Sequence, residues 1–157
     1  MTPFRRAGPD EAAALRDLEK AANLAALGHV FPPERYPFPD DDVLARWAIV
    51  LDDPSMTVEV MDGPSGLLAF TAYGGDLLRQ LAVHPDAWGR GLARAGVGRA
   101  VAAIEAGGAT EARLWCLVDN HRARGLYEHL GWRPGPERRE APWPPYPLEI
   151  DYVLPLR

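Results

Sequence analysis

The chain alternates between two hydrophobic periods, and the switches between them mark its elements. Leu15, Leu18, Ala22 and Ala25 recur at helical spacing after Pro9-Asp10, which makes Asp10 the expected N-cap and Gly28 the stop. Val43, Leu44, Trp47, Ala48 and Leu51 repeat that period behind Asp40-Asp41-Asp42, whose carboxylates suit the positive end of a second helix. Between the two helices, Pro32, Pro33, Pro37 and Pro39 forbid regular structure and leave a stiff loop carrying Phe31, Glu34, Tyr36 and Phe38. Then the period shortens. Met56 to Met61 and Leu67 to Tyr73 read as an antiparallel hairpin around Asp62-Gly63-Pro64-Ser65-Gly66, and Thr2 to Ala7 offers a short first strand.

Leu78 to Val83 is apolar enough for a strand buried on both faces, and it runs through His84-Pro85-Asp86 into Gly89 and Gly91. Leu92, Val97, Ala100, Val101 and Ile104 then mark one helix face, with Gly96 and Gly98 expected to allow close packing on the sheet. Arg113 to Val118 is the next buried strand, and a single intervening helix implies that it lies parallel to the previous one. Asp119-Asn120 caps a helix from His121 to Leu130, stopped by Gly131. Leu148, Ile150, Tyr152 and Leu154 alternate with Glu149, Asp151 and Val153, the pattern of a half-buried final strand. The proline-rich segment Ala141 to Pro147 before it cannot join a ladder at its middle, and no element is assigned from Trp132 to Glu140.

The 157 residues suit a single domain, 1–157, with a substantial core. A net charge of -5 disfavours a nucleic-acid partner, since no basic face is evident to displace counterions. The lone cysteine excludes an intrachain disulfide, and Cys116 reads as a small buried hydrophobe. The Asp40–Asp42 run has no His or further acid at ligand spacing, so no metal is expected. Without a membrane-length apolar run or signal core, no membrane partner and a cytoplasmic location are expected.

Chemistry concentrates after the central strand. Glycines at 89 and 91 let the backbone turn its amides outward, and the helix that follows adds unpaired N–H groups and a positive dipole end, a ready site for phosphate. A nucleotide P-loop would need Lys and Ser/Thr after its last glycine, and a dinucleotide fingerprint would need glycine where Arg94 stands. Neither fits. Trp88-Gly89-Arg90-Gly91-Leu92-Ala93 instead resembles the pyrophosphate loop of the GNAT superfamily of acyl-CoA-dependent N-acetyltransferases, [QR]xxGx[GA], with Gly91 and Ala93 matching and Trp88 replacing the usual Gln or Arg. Asn120, Ala123, Leu126, Tyr127, Gly131 and Trp132 fall at the intervals of that family's second motif.

The resemblance covers Leu77 to Trp132 closely and the first half in element order. It implies an α/β (α+β) fold with a mixed, mostly antiparallel sheet, about four helices, and parallel fourth and fifth strands that splay apart to admit acetyl-CoA. It further implies that backbone groups of Leu81, Ala82 and Val83 hold the pantetheine arm. Amides from Gly89 to Ala93 would take the pyrophosphate with Arg90 and Arg94 nearby, Asn120 would border the cofactor, and Tyr127 would be the general acid. The oxyanion contact falls to Leu81 or Ala82. The base stays open among Asp76, Glu34, Glu149 and a water chain. The expected acceptor is a small-molecule amine with an apolar or aromatic body rather than a protein, with Phe31, Tyr36, Phe38, Trp143 and Tyr146 as candidate pocket walls and a carboxylate such as Glu34 or Glu149 as its partner. A homodimer stays open, as does a non-catalytic acyl-CoA sensor with the same fold.

Overall fold

The computed structural model describes residues 3–157. In chain order the elements are β1 (Arg5–Arg6), α1 (Ala12–Ala26), α2 (Asp40–Asp52), β2 (Thr57–Gly63), β3 (Gly66–Gly74), β4 (Leu77–Val83), a 3-10 turn (Pro85–Ala87), α3 (Leu92–Ala106), β5 (Glu111–Leu117), α4 (His121–His129), β6 (Arg133–Glu140) and β7 (Leu148–Pro155). The strands form one sheet in the order β1-β2-β3-β4-β5-β7-β6, antiparallel except where β4 lies beside β5. The expected mixed α/β (α+β) architecture is therefore observed, with its parallel fourth and fifth strands.

Alternation along the strands decides where the helices lie. Val58, Val60, Phe70 and Ala72 point to one face, against Leu15 and Leu18 of α1 and Val43, Trp47 and Val50 of α2. Tyr73, Leu78, Leu114, Cys116 and Ile150 point to the other, against Val97, Ala100 and Ile104 of α3 and Tyr127 of α4. Each such side chain taken out of water contributes about 1.5–3 kcal/mol for the larger aliphatics, so the two apolar faces clamp the sheet from both sides.

Four local expectations are corrected. Helix α1 begins one residue later than expected, with Glu11 rather than Asp10 at its cap, because the Glu11 carboxylate accepts the Gly8 N–H at 2.7 Å and is gripped by Arg5 at 2.7 Å. The first strand is only Arg5–Arg6, and Thr2 lies outside the described residues. Gly96 does pack closely, since a Cβ there would meet Leu81 Cδ1 at 2.7 Å, but Gly98 faces open space. Residues Arg133–Glu140 form a strand on the sheet's outer edge, where Pro134 and Pro136 are tolerated because only one side must pair, and the register with β7 breaks between Pro134 and Arg138.

Candidate functional site

The site begins as a defect in the sheet. Strands β4 and β5 share a single bridge, Leu77 with Arg113, sealed by the Arg113 N–H donating to the Asp76 carbonyl at 2.8 Å. Beyond it they part. On its other side β4 pairs with β3, but a bulge leaves Arg79 unmatched between the Tyr73–Leu78 and Ala72–Gln80 pairs. Past the bulge, the His84 N–H donates to Leu68 at 2.7 Å, and because pairing direction alternates, Ala82 and Gln80 also turn their main-chain groups to β3. Leu81 and Val83 therefore turn theirs into the gap. The Trp88 indole N–H meets the Val83 carbonyl there at 2.9 Å.

Trp88 thus pins the following loop to the strand, and the Arg122 guanidinium lies over its ring at 4.0 Å. Gly89 and Gly91 take φ of 80° and 78°, conformations an L side chain resists. Gly91 is the N-cap of α3 and supplies no side-chain cap, so the first-turn amides of Leu92, Ala93 and Arg94 lack helical acceptors. The Leu92 side chain itself is core, packed with Met61, Ala69, Val83 and Ala87.

A cavity of about 370 Å³ runs along this surface, lined by Leu81, Ala82, Val83, Trp88, Gly89, Gly91, Leu92, Ala93 and Arg94 and closed by Asn120, Arg122 and Tyr127. Of the residues expected from sequence, Arg90 alone turns away. Its guanidinium donates to the Asp86 carbonyl at 3.2 Å and borders a separate cleft with His84. Asn120 contributes its amide oxygen to the Ala123 N–H at 3.2 Å, capping α4.

Tyr127 is buried and packs near Trp132 and Tyr152, with ring centroids 6.0 and 6.1 Å away. Its hydroxyl makes no hydrogen bond among the described residues. Burial, and then the neighbouring Cys116 thiol, hold its pKa above the ordinary phenol range, while Cys116 is itself pushed up to about 12, chiefly by burial.

A second cavity of about 400 Å³ opens from the other side of the gap and shares Leu81, Ala82, Asn120 and Tyr127 with the first. Here lie groups the sequence reading missed. Glu19 of α1, buried, accepts from the Trp47 indole at 2.9 Å and pairs with Arg46. With its amide turned to satisfy both groups, Gln80 accepts from Arg46 at 3.0 and 3.1 Å. Across the cavity Arg139 donates to Glu149 at 2.8 Å and lies 4.3 Å above the Trp115 ring. Glu19 had a legible signal, a charge on the apolar stripe of Leu15, Leu18 and Ala22; Arg139, on a strand without apolar alternation, had none.

Of the base candidates, Glu149 lines this cavity, whereas Asp76 and Glu34 are exposed and line none of the cavities described here. A third cavity, about 490 Å³, adjoins the second through Glu19, Asn23, Phe31 and Trp143 and is walled by Tyr36, Phe38 and the neighbouring prolines; Tyr146 is exposed outside it. The histidines stay apart from these walls: His29 stacks on His121 at 6.3 Å and meets the Asp119 carbonyl at 2.8 Å. Among the described residues no cluster of three or more His, Cys, Asp or Glu could hold a metal, and no helix is long and apolar enough to cross a membrane.

Comparison with known proteins agrees with this geometry. The chain is 34% identical over 127 residues to a mycothiol acetyltransferase of Beutenbergia cavernae, a match covering 75% of this chain and 42% of that protein, so the chain spans less than half its length. Its fold superposes on a GCN5-related N-acetyltransferase from Rhodopseudomonas palustris with a TM-score of 0.84 at 18% identity, covering 99% and 96% of the two chains. The PaiA N-acetyltransferase of Thermoplasma acidophilum, solved with coenzyme A, gives 0.74 at 11% identity over 99% of each. The model of the acetyltransferase (GNAT) family matches residues 14–132, and with the splayed strands and glycine loop inside that span, the chain belongs to this family.

Proposed function

We propose that the protein transfers the acetyl group of acetyl-CoA to the primary amine of a small-molecule acceptor by direct attack. The observation that carries this reading is the pair of main-chain N–H groups at Leu81 and Val83, turned into a gap bordered by Tyr127 at one end and the uncapped α3 at the other. The donor set fits coenzyme A. Open left-handed glycines and free first-turn amides suit a diphosphate, and Arg94 and Arg122 add positive charge beside it. Arg122, propped on Trp88, offers the cation that Trp88 itself lacks relative to the usual Gln or Arg.

Acetyl-CoA supplies an activated thioester, and the chain's own residues then divide the remaining tasks. The Leu81 N–H is the better oxyanion donor, because Ala82 is committed to β3. Tyr127 delivers a proton to the departing sulfur. Its raised pKa keeps the phenol protonated throughout the neutral range, the state a general acid requires. Glu19 and Glu149 are each held by an arginine, which favours removal of the amine proton through water.

Titration calorimetry with acetyl-CoA, followed by thiol release with an amine panel, tests the proposal. Binding with turnover supports it. Binding without thiol release from any amine points instead to an acyl-CoA sensor, and no binding removes both readings.

A further inference from the structure

The second cavity carries charges that acetyl transfer to an unspecified amine does not use. Three arginines, Arg46, Arg79 and Arg139, face two glutamates, and both glutamates are already engaged, Glu19 by Arg46 and Glu149 by Arg139 at 2.8 Å. Such a lining repels a polycation, which needs unpaired carboxylates. Arg139, although about half exposed at 53%, is braced on its inner side. Trp115 supports its guanidinium plane from 4.3 Å, and Glu149 takes only Nε. Both terminal nitrogens are without a partner among the described residues, presented as a planar fork that matches a carboxylate. Beside this cavity lies the pocket walled by Phe31, Tyr36, Phe38 and Trp143, whose charged lining groups among the described residues are Glu19, paired with Arg46, and Arg35, which lies over the Tyr36 ring.

We infer that the acceptor is an amino acid with a large apolar side chain. Its carboxylate is held by Arg139, its side chain fills the aromatic pocket, and its amine points to the Leu81–Tyr127 end of the gap. This rests on the proposed acetyl transfer and names its substrate class. The transfer balances within the site: the amine nitrogen bonds to the acyl carbon, the carbon–sulfur bond breaks, the sulfur leaves as coenzyme A thiol with the Tyr127 proton, the surplus amine proton passes to water, and Tyr127 regains a proton from that water.

The test is thiol release from acetyl-CoA with L-phenylalanine, L-phenylalaninamide, glycine and spermidine. The expected result is a kcat/KM for phenylalanine about 10- to 100-fold above that for its amide, the scale of one bidentate charge-assisted contact. The amide carries the less basic amine, so any bias from protonation opposes this result. Glycine, lacking the apolar body, falls below phenylalanine. In R139Q the acid-to-amide ratio collapses to within about threefold, and in R139K, which keeps the charge but not the fork, it falls partway. Equal rates for acid and amide in the unsubstituted protein, or an unchanged ratio in R139Q, would overturn the carboxylate anchor. Turnover of spermidine alone would overturn the inference and leave acetyl transfer standing. Acetyl-CoA bound with no thiol released from any of the four would overturn the inference, and the same silence across the wider amine panel would overturn acetyl transfer as well.

Discussion

Replacing Tyr127 by Phe separates a chemical role from a packing role, because the two make opposite demands on one oxygen atom. The ring is buried between Trp132 and Tyr152, and Phe preserves that packing. The hydroxyl borders the cavity and has no hydrogen-bond partner among the described residues, so its loss removes no intramolecular bond. Stability should therefore change by no more than about 1 kcal/mol, with no loss expected, a shift in Tm of roughly 2–4 °C at most for a domain of this size. Turnover should behave differently. A positioned general acid is worth about 10²- to 10⁴-fold, so kcat with a reactive amine should fall by that factor while calorimetric affinity for acetyl-CoA holds within about threefold. The pH profile supplies a second check: with its pKa raised by burial, Tyr127 stays protonated to the alkaline end of the assay, and no descending limb near pH 10 should be traceable to it. If Y127F keeps kcat within threefold of the parent protein, with folding and cofactor affinity intact, the general-acid assignment is wrong.

Three further outcomes follow from the packing around buried polar groups. Glu59 is buried, and although burial alone would raise its pKa, hydrogen bonds from Arg99 at 3.0 Å and Tyr73 at 2.6 Å hold it below the usual carboxylate value. A depressed folded pKa means stabilisation present in full above the unfolded value and lost as pH falls through the folded one, so Glu59→Gln should cost about 1–3 kcal/mol at pH 7. By chemical denaturation the gap between Glu59→Gln and the parent should close in acid, and a pH-independent gap would contradict the ion pair. Cys116, with its thiol pushed up to about 12, should label with a disulfide reagent at pH 8 about a thousandfold more slowly than free cysteine, and label at the ordinary rate once unfolded. Gly135→Ala would drive a Cβ to within 2.6 Å of the Asp151 carboxylate, which is buried and receives the Glu137 N–H at 2.9 Å and Arg113 at 3.1 Å; a loss of roughly 2–4 kcal/mol is expected on thermal melting.

What the sequence revealed and what it concealed divide along one physical line. Elements whose side chains are sorted by burial were legible: the stripe of Leu15, Leu18 and Ala22, the hairpin residues around Gly63, and the alternation of Ile150 and Tyr152. Strand β6 was not, because an exposed edge strand containing Pro134 and Pro136 sorts nothing. The same line runs through the site. Gly89 and Gly91 mark a strand-to-helix turn by themselves, and Tyr127 lies in a second short motif that the family resemblance identified. Glu19, Arg46, Gln80 and Arg139 come from α1, α2, β4 and β6, and their meeting depends on the sheet bringing distant segments together. The choice between Leu81 and Ala82 needed the pairing register, and a letter string does not contain it.

That register also explains why the gap stays open. Strand β5 is paired along its whole length with β7, from Glu111–Pro155 to Leu117–Glu149, and Asp151 ties β7 to both Arg113 and the backbone of β6. Strand β4 is held as firmly to β3, while α3 is fastened to that half by Thr71 donating to the Gly96 carbonyl at 3.1 Å and by the close approach of Gly96 to Leu81. Two half-sheets, each held by its own ladder, thus meet at the Leu77–Arg113 bridge. The N–H groups of Leu81 and Val83 consequently go without the strand partner that nearly every main-chain donor in a sheet interior has, at a cost of about 1–3 kcal/mol each wherever water is excluded. In the proposed function, an extended ligand bearing amide carbonyls would recover that energy by taking the place of the missing strand. Its affinity would then depend on the half-sheets' rigidity as much as on any side chain that touches it.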